Sequence, residues 1–293
     1  MRKQAFGRLG HGIFSSRGTR GGLALAGLLL LGGASHAWAA PEAPAAAASE
    51  LVVQVTELEK LVKQHAVDKA VAALLEDARQ ATKLHKACGE TVELKRRCLD
   101  VHETVLKSVK EDGERIAVFD QLVATGDPAA GKLLRPYLRQ PNVKEADRLL
   151  LAAIKAAGPL ACTETAEPLL LIFEKSKEME AATTSLEALG RFRQVKNRRE
   201  KILETIAKNV QKNMPGSRVG PRGGGTGGVG DPVPDSSTAT PNPNGSDPAA
   251  RWAALAPVLP KALNELTGRS IATTEAWLHT VRQVEKTSDL FVP

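Results

Sequence analysis

The sequence is poor in aromatic residues, which make up 3% of the chain and include a single tyrosine. β-Sandwiches and β-barrels use aromatic and β-branched side chains to pack their strands, so this shortage argues against both folds. The residues that are plentiful instead, such as alanine, leucine, lysine and glutamate, are strong helix formers. We therefore expect an all-α protein, and 293 residues suffice for one large domain or two small ones.

The sequence also lacks the motifs of common nucleotide-binding and hydrolytic sites. It contains no P-loop and no dinucleotide-binding fingerprint. No serine or cysteine stands in a recognisable triad context, and the carboxylates are scattered along the chain rather than paired. His65 and His279 are isolated, and we expect them to be surface or packing residues. The sequence therefore predicts a protein that is not an enzyme.

The first 39 residues have the pattern of a cleavable export signal. Basic residues without any acid precede a nine-residue apolar run at 23–31, and an Ala-x-Ala cleavage site follows at 37–39. The run is too short to span a bilayer, so an uncleaved anchor is the weaker alternative. We predict a periplasmic or extracellular protein with no membrane span after cleavage of the signal.

Most of the positive charge of the chain, +7 in total, belongs to this signal. Five of the 40 basic residues lie in it, which leaves 35 against 33 acidic residues in the exported part. No later segment has the one-sided basic excess that a nucleic-acid surface requires. The basic cluster at 191–199 is expected to be a solvated loop and helix start. We therefore predict no nucleic-acid partner.

Apolar residues recur at three- and four-residue steps after residue 49, which predicts a succession of amphipathic helices. A period of 32 residues is superimposed on this pattern. A glycine marks each period, and an apolar residue follows it twelve positions later: Gly126, Gly158 and Gly190, then Leu138, Leu170 and Ile202. We expect each glycine to end a helix, because glycine readily adopts the left-handed conformation of a C-cap.

Two stretches give this repeat a family likeness. Residues 132–138 (KLLRPYL) and 166–172 (AEPLLLI) read as proline-bearing first helices, and an alanine- and leucine-rich second helix follows each of them. The pattern resembles HEAT repeats, over about residues 111–212, of the kind found in exported bacterial α-solenoid proteins. The resemblance implies an α-solenoid of antiparallel helical pairs that binds proteins or peptides, and it carries no catalytic residues over.

Residues 215–248 contain 9 glycines and 7 prolines in 34 positions, so we expect this segment to be disordered. An interdomain linker is one interpretation. The alternative is a long loop that splits the last repeat, because residues 249–266 supply the second helix that this repeat lacks. The closing segment also resembles the C-terminal cap of bacterial HEAT-like proteins, with Trp252 and Trp277 as expected core anchors; the residues that carry this likeness are Leu266, Thr267, Gly268, Glu275, Ala276 and Trp277.

Two of the three cysteines belong to the one cluster with the chemistry of a site. Cys88 and Cys98 lie ten residues apart across a predicted helical hairpin, and an oxidising compartment would allow a disulfide between them. His85 and Cys88 share one helix face by their spacing, and Cys98 and His102 share another. Four such ligands can hold a tetrahedral zinc ion. We favour a disulfide or free structural thiols over zinc, and we predict no other cofactor.

These observations divide the chain into six segments. They are a signal peptide (1–39), a disordered lead-in (40–49), divergent N-terminal helical pairs (50–110), HEAT-like repeats (111–214), a disordered Gly/Pro-rich loop (215–248) and C-terminal helices that complete or cap the solenoid (249–293). The function predicted from them is an exported, non-enzymatic scaffold that binds a protein or peptide. Two alternatives remain: a metal- or redox-responsive envelope protein that uses the Cys/His cluster, and an accessory subunit of a secreted enzyme or envelope machine.

Overall fold

The computed structural model describes residues 43–139, 147–214, 248–283 and 287–291. No β-strand occurs among them, which confirms the all-α prediction for this part of the chain. The helices are α1 (Ala43–Asp68), α2 (Val71–Ala87), α3 (Val92–Ser108), α4 (Asp112–Thr125), a long 3₁₀ helix (Pro128–Leu138), α5 (Arg148–Leu160), α6 (Thr163–Lys175), α7 (Met179–Gly190), a 3₁₀ turn (Arg191–Gln194), α8 (Lys196–Asn213), α9 (Pro248–Leu255), α10 (Leu259–Thr267), α11 (Thr274–Gln283) and a last 3₁₀ turn (Thr287–Leu290). None of these described helices is long and apolar enough to cross a membrane.

Most of the helices lie in two rows. The first row consists of the long 3₁₀ helix, α6 and α8, in which each helix packs against the next. The second row consists of α2, α4, α5, α7 and α10, again with each helix packed against the next. The rows are joined by pairs such as α6 with α7, and one hydrophobic core runs through the array from Val55 to Phe291.

The boundary between α4 and the long 3₁₀ helix shows how the sequence sets a helix end. Gly126 is the C-cap of α4 with a φ of 68°, and its N–H donates to the carbonyl oxygen of Val123. Asp127 then caps the next helix, because its Oδ1 accepts a hydrogen bond from the N–H of Ala129 at 2.8 Å. The glycine cap predicted for Gly126 is therefore confirmed.

The left-handed caps predicted for Gly158 and Gly190 are wrong, because both residues have right-handed backbone, although α7 does end at Gly190. Helix α5 continues past Gly158 to Leu160, and its C-cap is Ala161, whose φ is 41°. A Cβ atom at Gly158 would lie 3.2 Å from the Cα of Ala188, and one at Gly190 would lie 2.9 Å from the Cα of Ala262. Ordinary van der Waals contact is longer than this. Glycine is needed at both positions because neighbouring helices of the second row approach closely there.

The helices after residue 248 are built into the array. Arg251 of α9 is 4% exposed, and its guanidinium donates to the carbonyl oxygens of Phe173 and Ser176. These carbonyls lie at the C-terminal end of α6, where helix carbonyls lack partners within the helix and a cation is favoured. Arg251 therefore ties α9 to α6, while α10 packs against α7.

Trp277 of α11 is a core residue, as predicted, with 1% of its surface exposed. Its indole Nε1 donates to Oδ1 of Asn264 in α10 at 3.0 Å. Trp252 is only partly buried against the core. A turn at 256–258, which contains Pro257, separates α9 from α10, so the second helix expected here is bent as its prolines predict.

The lead-in at 40–49 is not irregular throughout, because α1 begins at Ala43. The stretch from that residue is rich in alanine, the best helix former, which explains this correction. The signal at 1–39 and the Gly/Pro-rich segment at 215–247 lie outside the described residues. The division into six segments stays a prediction.

Candidate functional site

The four residues of the predicted Cys/His cluster lie on α2 and α3, which pack against each other. Cys88 is the C-cap of α2 and Cys98 lies within α3; both are buried and both are free thiols. Burial raises the pKa of each thiol, to about 12 for Cys98, and each thiol also affects the pKa of the other. These are protonated thiols at neutral pH and hence poor nucleophiles.

His85 contacts the start of the long 3₁₀ helix. Its Nε2 lies 3.1 Å from Oδ2 of Asp127, the residue that caps that helix. Burial lowers the pKa of His85, and the carboxylate of Asp127 opposes this effect only in part. The hydrogen bond links α2 to the first row of the array.

His102 is fully buried and uses both of its ring nitrogens within the protein. Nδ1 lies 2.9 Å from the carbonyl oxygen of Cys98, and Nε2 lies 3.0 Å from the hydroxyl of Thr82. A carbonyl can only accept, so Nδ1 carries the proton and Nε2 accepts from Thr82. Burial lowers the pKa of His102 to about 4, so the ring is neutral at physiological pH.

The four residues therefore face different partners. No group of three or more His, Cys, Asp or Glu side chains that could hold a metal ion occurs in the part of the chain that the structure describes. The zinc site and the Cys88–Cys98 disulfide stay predictions. What the structure brings together is the thiol pair, while His85 and His102 bond to Asp127 and Thr82, partners that the sequence spacing did not indicate.

Two further polar contacts join the N-terminal helices and were missed in the sequence. His65 Nδ1 lies 2.7 Å from Oδ2 of Asp77, between α1 and α2. Arg97 forms a bidentate pair with Glu59 at 2.8 and 2.7 Å, between α3 and α1. The pair lowers the pKa of Glu59, chiefly through the hydrogen bond from Arg97. These contacts fix the N-terminal helices to one another.

The described residues form an open groove on the first row, which we call the first-row groove. Its wider part has a volume of about 800 Å³ and lies where three successive first-row segments begin. Apolar atoms make up most of its surface, and its lining includes the apolar residues Pro159, Leu160, Ala161 and Val195. The charged and polar groups around it are Lys132, Thr163, Glu164, Arg191, Gln194, Lys196 and Asn197.

The narrower part of the groove, about 440 Å³, adjoins the wider one through Thr163 and Glu164, which line both. It runs between the C-terminal half of the long 3₁₀ helix, α6 and the start of α8. Its charged residues are Arg135, Arg139, Glu167 and Arg198. Leu171, which is 40% exposed, supplies an apolar contact surface.

The groove lies at one register of the 32-residue period. Lys132, Glu164 and Lys196 are spaced by 32 residues and all line its wider part. Sequence reasoning missed this site because it followed only the glycines and apolar positions of the period. The polar residues at equivalent positions were the signal that could have found it.

The charge balance of the groove is positive. Six cations line its two parts, Lys132, Arg135, Arg139, Arg191, Lys196 and Arg198, against the carboxylates of Glu164 and Glu167. Lys132 pairs with Glu164 at 3.2 Å. The other five cations form no ion pair with any described residue.

Cys162, the third cysteine, lies at the wall of the wider part. Its Sγ donates to Oε2 of Glu164 at 2.8 Å, and burial with this carboxylate raises the pKa of the thiol to about 11. The hydrogen bond lowers the pKa of Glu164. With Lys132 on its other oxygen, Glu164 is already satisfied by the protein's own groups.

Comparison of the chain with protein-family models, with curated proteins and with solved structures finds no match in any of the three.

Proposed function

We propose that the chain is an α-solenoid of HEAT-like helical pairs. The two rows of sequentially packed helices support this reading, because a solenoid stacks each pair only on its neighbours. Positions one period apart also share their environment: Leu138, Leu170 and Ile202 are all buried, at 1%, 6% and 0% exposure. The close approaches at Gly158 and Gly190 join successive second-row helices in the same way.

In this proposal α8 is the first helix of the last pair, and α9 with α10 forms its second helix. The supporting contacts are those of α10 with α7 and of Arg251 with the end of α6. A chain that ends at residue 214 should then lose much of its stability, because buried side chains such as Leu259, Leu266 and Trp277 are removed from the core. Thermal unfolding that matches that of the exported chain would contradict the split repeat.

The proposed function is that of an exported, non-enzymatic scaffold that binds a protein or peptide partner. The observation that carries it is the first-row groove, an open concave surface lined by five cations that form no ion pair with a described residue. Stacked helical pairs present such extended grooves as binding surfaces. The residues around this groove provide charge and apolar contact surface, which suits binding.

The expected location is the periplasm or the extracellular space, and it rests on the sequence pattern of residues 1–39. Edman sequencing of the exported protein tests this directly. A mature chain that begins at Ala40 supports the proposal, whereas retention of residues 1–39 would overturn it.

Chemical crosslinking in the native envelope, followed by purification and mass spectrometry, tests the scaffold. The proposal expects one stoichiometric protein partner, with crosslinked peptides on the long 3₁₀ helix, α6 or α8. Crosslinks spread over all surfaces, or recovery of the chain alone under gentle conditions, would count against it. A partner that is itself an enzyme or envelope machine would identify the chain as an accessory subunit.

A redox-responsive protein is the second candidate, favoured by the adjacent buried thiols of Cys88 and Cys98. Mass spectrometry of protein prepared under non-reducing conditions distinguishes the two states of this pair. A Cys88–Cys98 peptide crosslink that reducing agents reverse, accompanied by a change in partner binding, would support it. Zinc bound stoichiometrically to protein with intact thiols would support the metal-responsive version instead.

A further inference from the structure

The excess of positive charge along the first-row groove favours a negatively charged partner. Five cations without a described ion-pair partner line one groove, and like charges that share a surface repel one another. Glu164 already accepts from Lys132 and Cys162, which leaves Glu167 as the only other carboxylate along the groove. A partner with carboxylates would relieve the repulsion and form new ion pairs.

The starts of α6 and α8 add to this preference. Thr163 and Glu164 in the first turn of α6, and Lys196 and Asn197 in that of α8, all line the wider part of the groove. The N-cap side chains of both helices, Cys162 and Val195, form no cap hydrogen bond. Helix N-termini carry partial positive charge, so they act in the same direction as the lysines and arginines.

The shape of the groove indicates an extended partner. Its two parts, about 800 and 440 Å³, are open and continuous across three successive first-row segments. An enclosed cavity would suit a small molecule, whereas this open path suits a length of polypeptide. The apolar floor at Pro159 and Val195, with Leu171 farther along, offers contacts for aliphatic side chains between the acidic ones.

We propose that the first-row groove binds an acidic, extended segment of a partner protein, with carboxylates on Arg135, Arg139, Arg191, Lys196 and Arg198 and aliphatic side chains on the floor. This inference rests on the proposed scaffold function and names the partner's chemistry. Nucleic acid is a less suitable polyanion, because Glu164 and Glu167 interrupt the cations and much of the floor is apolar.

The test is selection of peptides from a random dodecapeptide library on the purified exported chain. Two charge variants with the same change in net charge accompany the wild type. R191Q/K196Q/R198Q removes three groove cations, whereas K201Q/K208Q/K212Q removes three exposed lysines of α8 that do not line the groove. Circular dichroism and thermal unfolding verify that both variants retain the fold, and fluorescence anisotropy measures their affinity for the selected peptides.

We expect the selected peptides to be enriched in aspartate and glutamate. Their affinity for the groove variant should be about tenfold lower than for the wild type, and their affinity for the control variant should change little. Neutral or basic selected peptides, or equal affinity for the two variants, would overturn the acidic partner while leaving the scaffold function in place. Complete absence of enrichment would overturn both. Displacement of the peptides by a short DNA duplex of equal charge at lower concentration would overturn it in favour of nucleic acid.

Discussion

Substitution of Gly190 by alanine tests whether the C-terminal helices belong to the helical array. The backbone of Gly190 is right-handed, so alanine meets no conformational strain there. Its Cβ, however, would lie 2.8 Å from the carbonyl oxygen and 2.9 Å from the Cα of Ala262 in α10. Both atoms are backbone, so α7 and α10 must move apart to accommodate the methyl group.

The magnitude follows from two opposing effects. Overpacking of this kind costs about 1–3 kcal/mol, while replacement of a helical glycine by alanine gains up to about 1 kcal/mol. We expect the free energy of unfolding of the exported chain to fall by about 1–2 kcal/mol, as measured by urea denaturation. A loss of this size lowers the melting temperature of a chain of this length by about 2–8 °C.

Gly113 provides the matched control. It lies in the first turn of α4, and a Cβ there would have no atom within 4 Å. Alanine at Gly113 should therefore raise the free energy of unfolding by about 0.4–1 kcal/mol. If Gly190→Ala is as stable as Gly113→Ala, α10 does not pack against α7 and the split-repeat architecture is refuted.

Three further predictions concern buried polar groups. Arg251→Gln should lower the free energy of unfolding by about 2–4 kcal/mol in urea titrations, because carbonyls at the end of α6 lose their buried cation; unchanged stability would mean that α9 is not docked there. Acidification should destabilise the fold through His102, whose pKa is about 4 in the folded chain and about 6.5 in the unfolded chain. Because the unfolded state binds the proton more tightly, the free energy of unfolding should fall by up to about 3 kcal/mol between pH 6.5 and pH 4. NMR should accordingly show His102 still neutral at pH 5.5, and protonation of His102 above that pH would contradict its burial. Cys88 and Cys98 should react with a maleimide far more slowly than thiols of the urea-unfolded chain at pH 7, and equal rates would contradict their burial and raised pKa values.

The helices and their order were predictable because they depend on local periodicity. Residues 166–172 were expected to lie in a proline-bearing first helix, and they lie in α6 (Thr163–Lys175). The alanine- and leucine-rich second helix expected after them is α7 (Met179–Gly190). The role of the repeated glycines was not predictable, because a glycine that caps a helix and a glycine that admits a neighbouring helix look alike in sequence. Gly126 is a left-handed C-cap, whereas Gly158 and Gly190 are right-handed and admit a neighbouring helix, even though α7 ends at Gly190.

The site could be predicted only in part. Spacing placed His85 and Cys88 on one helix face, but it gave no information about partners far along the chain, such as Asp127, 42 residues from His85. The hydrogen bonds to Asp127 and Thr82 hold the side chains of His85 and His102. Prediction of the groove would have required the register between successive helical pairs. That register becomes clear once Lys132 and the residues 32 and 64 positions later are placed on stacked helices.

The most direct test of the scaffold is site-specific photocrosslinking in the native envelope. A photoreactive residue at Gln194 lies in the first-row groove, and one at Glu187 is exposed on α7, which does not line the groove. The account predicts one partner adduct at Gln194, absent at Glu187 and lost when R191Q/K196Q/R198Q is introduced. Adducts that form at Glu187 and not at Gln194, or that persist unchanged in the charge variant, would contradict binding in the groove.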